Sequence, residues 1–335
     1  MKIFIYRHLL VPALQDFYIR VSQQHNFLHH YHWFTDILER MSAHETNDAE
    51  TADYFFIPLF LLPFQFENVD ISSAIESCPH LHKGRHILFA SGDFGQRKKS
   101  ATEGHHVGRA YAQIYSWLDD RFVLIALEST ADLHPQDVAI FPYQIADEAS
   151  CSLPIFNSAP RRRNLLYAFC GAMAYPQLPP THIRGGALSA ISGSGKDWFV
   201  GTPPQAVARY GATDGDGKAM FERSIFTLCP AGFGRWTFRW IESLLHGSIP
   251  VILSDGYILP FEETIDWREH VVVFPEKDLA ALPEFLRLFP CGRVLQLQEN
   301  ILGARAQFTR EACLNALLRK LESQCRWTAP TVALK

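Results

Sequence analysis

The chain has 335 residues, 47% hydrophobic and 20% charged, with a formal net charge of −4. It can bury a sizeable core, its length suits two domains, and its charge argues against a general nucleic-acid binder. Seven scattered cysteines, with no CxxC and no Cys/His pair at zinc spacing, read as buried thiols of a reducing compartment. No stretch reaches the roughly 18 apolar residues that a membrane span needs. The start, MKIFIYRHLLVP, lacks a small-residue cleavage site and reads as a first strand. The expected location is cytoplasmic, with peripheral contact to a membrane-borne acceptor left open.

In chain order, Ile3 to Tyr6 is predicted to be a strand. Gln15 to Met41 follows as one or two helices, dense in histidine and aromatic residues. Short apolar runs at Tyr54 to Pro58, His86 to Ala90, Phe122 to Ala126 and Val138 to Ile140 are of the length of buried parallel strands. Cys151 to Arg163, with its prolines, serines and basic cluster, reads as a linker with its arginines solvated. Strand–helix alternation then restarts, with strands at Leu165 to Phe169, Ser224 to Leu228, Ile249 to Leu253 and Val271 to Phe274. A helix is expected near Ile183 to Ile191, another at Gly234 to His246, and a helical tail from Leu295 to Cys325. The pattern is α/β, with two doubly wound domains. The expected division is 1–155, 156–300 and a tail, 301–335, that packs back on the first domain. Ligands of such sheets bind beyond the carboxyl ends of the strands, and two facing domains put a cleft there.

Ser224 to Phe261, SIFTLCPAGFGRWTFRWIESLLHGSIPVILSDGYILPF, carries the chemistry. A strand runs into a loop with Gly232 and Gly234, then into a helix. Glycines let backbone N–H groups approach a ligand, and a helix N-terminus favours an anion, so a diphosphate cradle fits; strand–glycine–helix turns are also common in themselves. At about 100° per residue, Arg235, Arg239, Glu242 and His246 fall on one narrow stripe of that helix. Trp236, Phe238, Trp240, Ile241, Leu244 and Leu245 fill the rest, so the helix reads as buried with a polar stripe. The stripe either faces a ligand, with arginines for phosphate and a carboxylate for sugar hydroxyls, or is solvated with an Arg239–Glu242 pair.

This segment resembles the exostosin glycosyltransferases. The shared features are SIFTLCP, the spacing Gly232, Thr237, Arg239, then Glu242, then HGSIPVILSDGYILPF and IDWREHVVVFPEKDL. ADYFFIPLF, GRHILFASGDFG, QDVAIFPY, RRNLLYAFCG and Arg184 in THIRGGAL agree more loosely. Thr237 stands where the family usually has Ser, Ser248 where it has Cys, and Ser243 where it has Ala.

The resemblance implies a GT-B fold: two Rossmann-like domains facing a cleft, the first on the acceptor side and the second binding a nucleotide-sugar. It implies an inverting transferase that moves a sugar, usually from a UDP-sugar, to a hydroxyl of a glycan or glycolipid in surface polysaccharide synthesis. Carried over by position, Arg239 holds the diphosphate and Glu242 the ribose. Thr237, Gly232 and Gly234 complete the phosphate site, and Arg184 and Arg235 add positive charge. Fixed cations and N–H dipoles stabilise a diphosphate leaving group directly, so no metal or other cofactor is expected. Inversion needs a base from the first domain. Asp93, beyond the strand His86 to Ala90, is the first choice, with His8 and His105 as rivals; Asp93 also fits a turn.

Other motifs carry less. SGSGKD lacks two positions of a phosphate-binding P-loop, since Ala190 and Asp197 stand where Gly and Ser/Thr belong. DGD, Asp214 to Asp216, reads as a helix cap, and the adjacent histidines 29–30 and 105–106 point apart. The alternatives are a degenerate, non-catalytic sugar- or nucleotide-binding relative and a dinucleotide-dependent oxidoreductase. The latter needs GxGxxG after the first strand, where RHLLVP stands.

Overall fold

A computed structural model describes residues 1–91, 120–127, 134–142, 163–174, 182–211, 218–232 and 234–325. The chain divides into two compact units. The first takes in the described residues of 1–128, 132–140 and 311–335, the second those of 129–131 and 141–310. Residues 301–310 thus lie in the second unit, while the tail from 311 belongs to the first.

The first unit is built on β1 (Ile3–Ile5), β2 (Tyr54–Phe60), β3 (Arg85–Ala90), β4 (Phe122–Ala126) and β5 (Val138–Ala139). They lie in the order β1-β2-β3-β4-β5, every pair parallel. A sheet covered on both faces demands continuous apolar strands, and β2, YFFIPLF, is buried at all seven positions. Pro58 lies inside this central strand and cannot donate to a ladder. The β2–β3 register slips between Phe56 and Phe60, which accommodates it. The predicted helical stretch between β1 and β2 is two helices, Pro12–Gln24 and Leu28–Ser42, separated at Asn26, whose φ is 58°. From residue 311 the helix Arg310–Cys325 buries Cys313, Leu314, Leu317 and Leu321 in this unit. There the Tyr54 hydroxyl donates to the Leu321 carbonyl (3.0 Å) and Arg85 donates to that of Gln324 (3.0 Å).

The second unit contains β6 (Leu165–Cys170), β7 (Gly193–Ser194), β8 (Trp198–Gly201), β9 (Ser224–Pro230), β10 (Ile249–Leu253) and β11 (Val272–Val273). Their order is β11-β10-β9-β6-β8-β7, and only the β7–β8 pair is antiparallel. Sequence patterning misses β7 and β8, because serine and glycine dominate 192–195 and the apolar run after them is short. SGSGKD holds β7 and the turn of this edge hairpin. From β6 the chain moves outward to β8, then crosses back to β9 on the other side of β6. Connections therefore leave the adjacent ends of β6 and β9 in opposite directions, which makes a crevice at that point of the sheet. The described strands of the first sheet keep chain order and show no such reversal.

Arg163, expected in a solvated linker, is instead half-buried at the foot of β6. Its guanidinium donates to the carbonyls of Phe221 (2.5 Å), Ser224 (2.6 Å) and His246 (2.8 Å). Burial lowers its pKa to about 10. It joins the end of one helix, the start of β9 and the end of another helix, where carbonyls otherwise lack partners. Arg161, Arg162 and the rest of that linker lie outside the described residues. Ser248 belongs to a buried hydroxyl chain: it lies 2.7 Å from Thr227 Oγ1, and Ser224 Oγ donates to the Met220 carbonyl (2.7 Å). A hydroxyl at 248 thus has partners that account for Ser in place of Cys. The six described cysteines are free thiols. Among the described residues, no helix is long and apolar enough to cross a membrane.

Candidate functional site

Beyond β9 the chain still follows the sheet for one residue, as the Ala231 N–H bonds the Leu253 carbonyl (3.0 Å). The loop Gly232–Phe238 follows, with Phe233 outside the described residues. The helix then runs Arg239–Leu245 rather than from Gly234. Its start is set by sideways bonds. Ser254 Oγ donates to the Arg235 carbonyl (2.6 Å), and the Arg235 guanidinium donates to the Asp255 carbonyl. The first helical bond is Glu242 N–H to the Phe238 carbonyl (3.1 Å).

This shorter helix revises the stripe. Arg235 lies off the helix, exposed, and bound to the loop after β10. His246 turns inward, and its ring stacks on Phe221 (5.6 Å). Arg239 and Glu242 remain together, both half-buried. The rest of the helix is buried as the apolar wheel requires. Trp240 packs edge-on against Trp267 (5.3 Å) and Phe141 (5.8 Å). A seven-residue helix supplies little macrodipole, so guanidinium groups provide the positive field at this end of the sheet.

Two guanidinium groups meet at the β6–β9 crevice, over one ring. The Arg239 guanidinium carbon lies 5.1 Å from the centre of the Phe169 ring, and that of Arg184 lies 5.4 Å from it. Such contacts hold cations over an aromatic face with about 1–2 kcal/mol each when desolvated. The two arginines differ in their other bonds. Arg184 is 4% exposed; it donates from Nε to the Ala231 carbonyl (2.7 Å), and from its terminal nitrogens to Pro230 (3.3 Å) and Ala172 (3.4 Å). It thus bridges the chain leaving β9 to the chain leaving β6. Among the described residues Arg239 has no hydrogen bond and no ion pair, with Glu242 or any other carboxylate. The Arg239–Glu242 pair that a solvated stripe would form is therefore not made.

Both members of the stripe act on the end of β9. Burial pushes the Cys229 thiol up to about 12, Arg239 opposes that shift and Glu242 adds to it. Thr237 is buried on the loop before the helix, and Gly234 is buried beside it. A β-carbon at Gly232 would come within 3.3 Å of the Trp236 carbonyl, so the loop closes tightly there. Arg184, Gly232, Gly234, Thr237, Arg239 and Glu242 therefore all belong to elements at or next to this crevice.

Of the three expected bases, only His8 lies among the described residues. His8 lies on a single 3-10 turn after β1, exposed, with its Nε2 3.0 Å from Ser77 Oγ. Asp93 and His105 lie outside the described residues, as does Asp214 to Asp216. Sequence reasoning missed Phe169 and Gly171. A β-carbon at 171 would stand 2.4 Å from Arg239 Nη2, so the glycine leaves room for the guanidinium. A glycine directly after an apolar strand was the available signal.

Residues 1–289 match the model of the Exostosin GT47 domain. An exostosin-1 homolog of Caenorhabditis elegans is 41% identical over 81 residues, 24% of this chain and 21% of that protein. A protein of Arabidopsis thaliana named as a probable glucuronoxylan glucuronosyltransferase is 24% identical over 290 residues, 76% of this chain and 57% of its own. A protein of the same plant named as a probable beta-1,4-xylosyltransferase is 33% identical over 135 residues, 33% of either chain. The chain thus spans less than two thirds of the length of each of these relatives. Two α/β units with mostly parallel sheets are consistent with the GT-B-like fold of such transferases. With the family model matching most of its length, the chain belongs to the exostosin GT47 family.

Proposed function

We propose that this protein is an inverting glycosyltransferase that takes a sugar from a nucleotide-sugar, in the first instance a UDP-sugar, and passes it to a hydroxyl of a glycan or glycolipid. The observation that carries the reading is the pair Arg184 and Arg239 over Phe169 at the crevice between β6 and β9. An anion at that crevice meets Arg239 donors that have no hydrogen-bond partner among the described residues, with the fixed charge of Arg184 behind them. Arg239 binds the diphosphate, Glu242 the ribose, and Thr237 with the Gly232 and Gly234 backbone closes the phosphate site. Arg235 adds charge at the rim. The names of the relatives, glucuronosyl- and xylosyltransferases among them, support a polysaccharide acceptor.

In the step itself the acceptor oxygen forms a bond to the anomeric carbon as the bond from that carbon to the diphosphate oxygen breaks. The electron pair leaves with the nucleoside diphosphate, and the acceptor proton goes to a base. Charge grows on the leaving diphosphate, where preorganised guanidinium groups stabilise the transition state more than the ground state. The reading needs no metal. Asp93 is the proposed base.

Thermal unfolding in the presence of UDP, GDP, CMP and dTDP, and of their sugar conjugates, tests this directly. A ligand at about 100 times its dissociation constant adds about 2.7 kcal/mol, which raises the melting temperature by several degrees. Arg239→Ala should abolish that shift and keep its own melting temperature. No response to any of these compounds would sink the donor reading. Asp93→Asn should bind donor and lose transfer; normal turnover would pass the role of base to His8 or His105. Tight binding with no transfer to any acceptor would make the chain a non-catalytic relative.

A further inference from the structure

The ends of β9, β10 and β11 are tied together by a set of bonds that lies beside the proposed donor site. Asp255 follows β10, and its N–H donates to Glu276 Oε1 (2.8 Å). Glu276 opens the 3-10 segment after β11, and its N–H donates to Asp255 Oδ1 (3.1 Å). Each carboxylate thus caps the backbone of the other residue. The same short loop holds the chain leaving β9, through Ser254 Oγ on the Arg235 carbonyl and through the Arg235 guanidinium on the Asp255 carbonyl. Gly256, at φ 76°, turns the loop and comes close to Arg235; a β-carbon there would be 3.9 Å from Nη1. The loop so held, 232–238, carries Gly232, Gly234 and Thr237 and leads into Arg239.

Two carboxylates facing each other's backbone do not by themselves stabilise one another. Burial raises the pKa of Glu276 and the charge of Asp255 adds to the shift, while the bond from the Asp255 N–H and the charge of Arg235 oppose it. Residues 234–237 precede the helix, and the bonds from Ser254 Oγ to the Arg235 carbonyl and from the Arg235 guanidinium to the Asp255 carbonyl tie their course to the loop after β10.

We propose that Asp255 and Glu276 are positioning residues for donor binding: their reciprocal clasp fixes the Ser254–Gly256 loop, which in turn fixes the 232–238 loop and the start of the Arg239 helix. The clasp needs hydrogen-bond acceptors on both side chains, not two negative charges. This inference extends the donor-site reading above, and its test separates the two.

The experiment first identifies which of UDP, GDP, CMP and dTDP stabilises the wild-type chain most, then measures its dissociation constant by calorimetry in variants. Glu276→Ala removes one acceptor and should weaken binding about tenfold or more, the loss of one or two charge-assisted bonds. Glu276→Gln keeps an acceptor oxygen and should stay within about threefold of wild type by the same arithmetic. Asp255→Ala should match Glu276→Ala. Hydrogen exchange at residues 234–238, measured without ligand, should be faster in Glu276→Ala and unchanged in Glu276→Gln. Should Glu276→Ala fail to fold, Ser254→Ala, which removes only the bond to the Arg235 carbonyl, gives the same two readouts. Unchanged affinity together with unchanged exchange in Glu276→Ala overturns the clasp. A Gln variant as weak as the Ala variant overturns it too, since charge rather than position would then matter. A wild-type chain that binds no nucleotide fails the donor reading instead, and the exchange data still decide the clasp.

Discussion

Gly171→Ala is the most economical test of the crevice. The added β-carbon would sit 2.4 Å from Arg239 Nη2 and 3.0 Å from the Phe169 ring. Ordinary carbon–nitrogen contact is about 3.5 Å, so the guanidinium has to move by about 1 Å. Position 171 is not among the positive-φ glycines, so alanine meets no backbone penalty. The closest clash falls on the far end of a flexible side chain and a tight contact falls on the buried Phe169 ring, so the fold should lose about 1 kcal/mol, the low end of overpacking costs. Binding should suffer more. Displacing the guanidinium from a diphosphate removes one or two charge-assisted hydrogen bonds, about 1.5–3 kcal/mol each, or at least about tenfold in affinity. Calorimetric titration of the preferred nucleoside diphosphate measures this, with a melting curve as the control. A double-mutant cycle assigns the cause: in an Arg239→Ala background, Gly171→Ala should cost almost nothing further. Wild-type affinity in Gly171→Ala, or an undiminished loss in the Arg239→Ala background, would refute the placement of Arg239 at the β6 end.

Arg163→Ala leaves three carbonyls without their donor and should destabilise the second unit by about 3–5 kcal/mol, read as a lowered denaturant midpoint. Arg163→Lys should recover only part of this, because an ammonium cannot match the spread of a guanidinium over three acceptors. Arg184→Ala should lower both stability and nucleotide affinity, whereas Arg239→Ala lowers affinity alone; equal melting temperatures for the two would contradict their different bonding. In the first unit, burial lowers the His29 pKa to about 4 and holds His30 well below the usual imidazole value. The unfolded chain then binds protons first, so this stability is present above about pH 6.5 and drains away as pH falls towards 4. His29→Gln should make the fall in melting temperature across that window shallower, with His30 supplying the remaining slope, and an unaltered pH profile would argue against burial as the cause.

How much of this was legible in the sequence differs from element to element. β4 and β10 have the predicted bounds, Phe122–Ala126 and Ile249–Leu253, because a strand buried on both faces announces itself as an unbroken apolar run. β7 and β8 do not, since their pairing depends on an edge hairpin of glycine and serine rather than on composition. The pair Arg239 and Glu242 was readable from helical periodicity, which needs only local spacing. The same periodicity placed Arg235 and His246 on that stripe wrongly. Arg235 is held by Asp255, which belongs to the next loop, and His246 by the ring of Phe221, on the helix before β9.

By itself, then, the sequence determined the α/β class, most of the strands and the motif between Ser224 and Leu279, all of which are properties of neighbouring residues. Tertiary structure alone decided that β9 lies against β6, and hence that Arg184, Arg239, Phe169 and Gly171 share one crevice. It also decided that Arg163 joins three carbonyls of the second unit, and that Asp255 and Glu276 cap one another across two strand ends. These are pairings of residues far apart in the chain. They are selected by the cooperative burial of whole strands and by the demand that every enclosed carbonyl find a donor, and no local pattern encodes either.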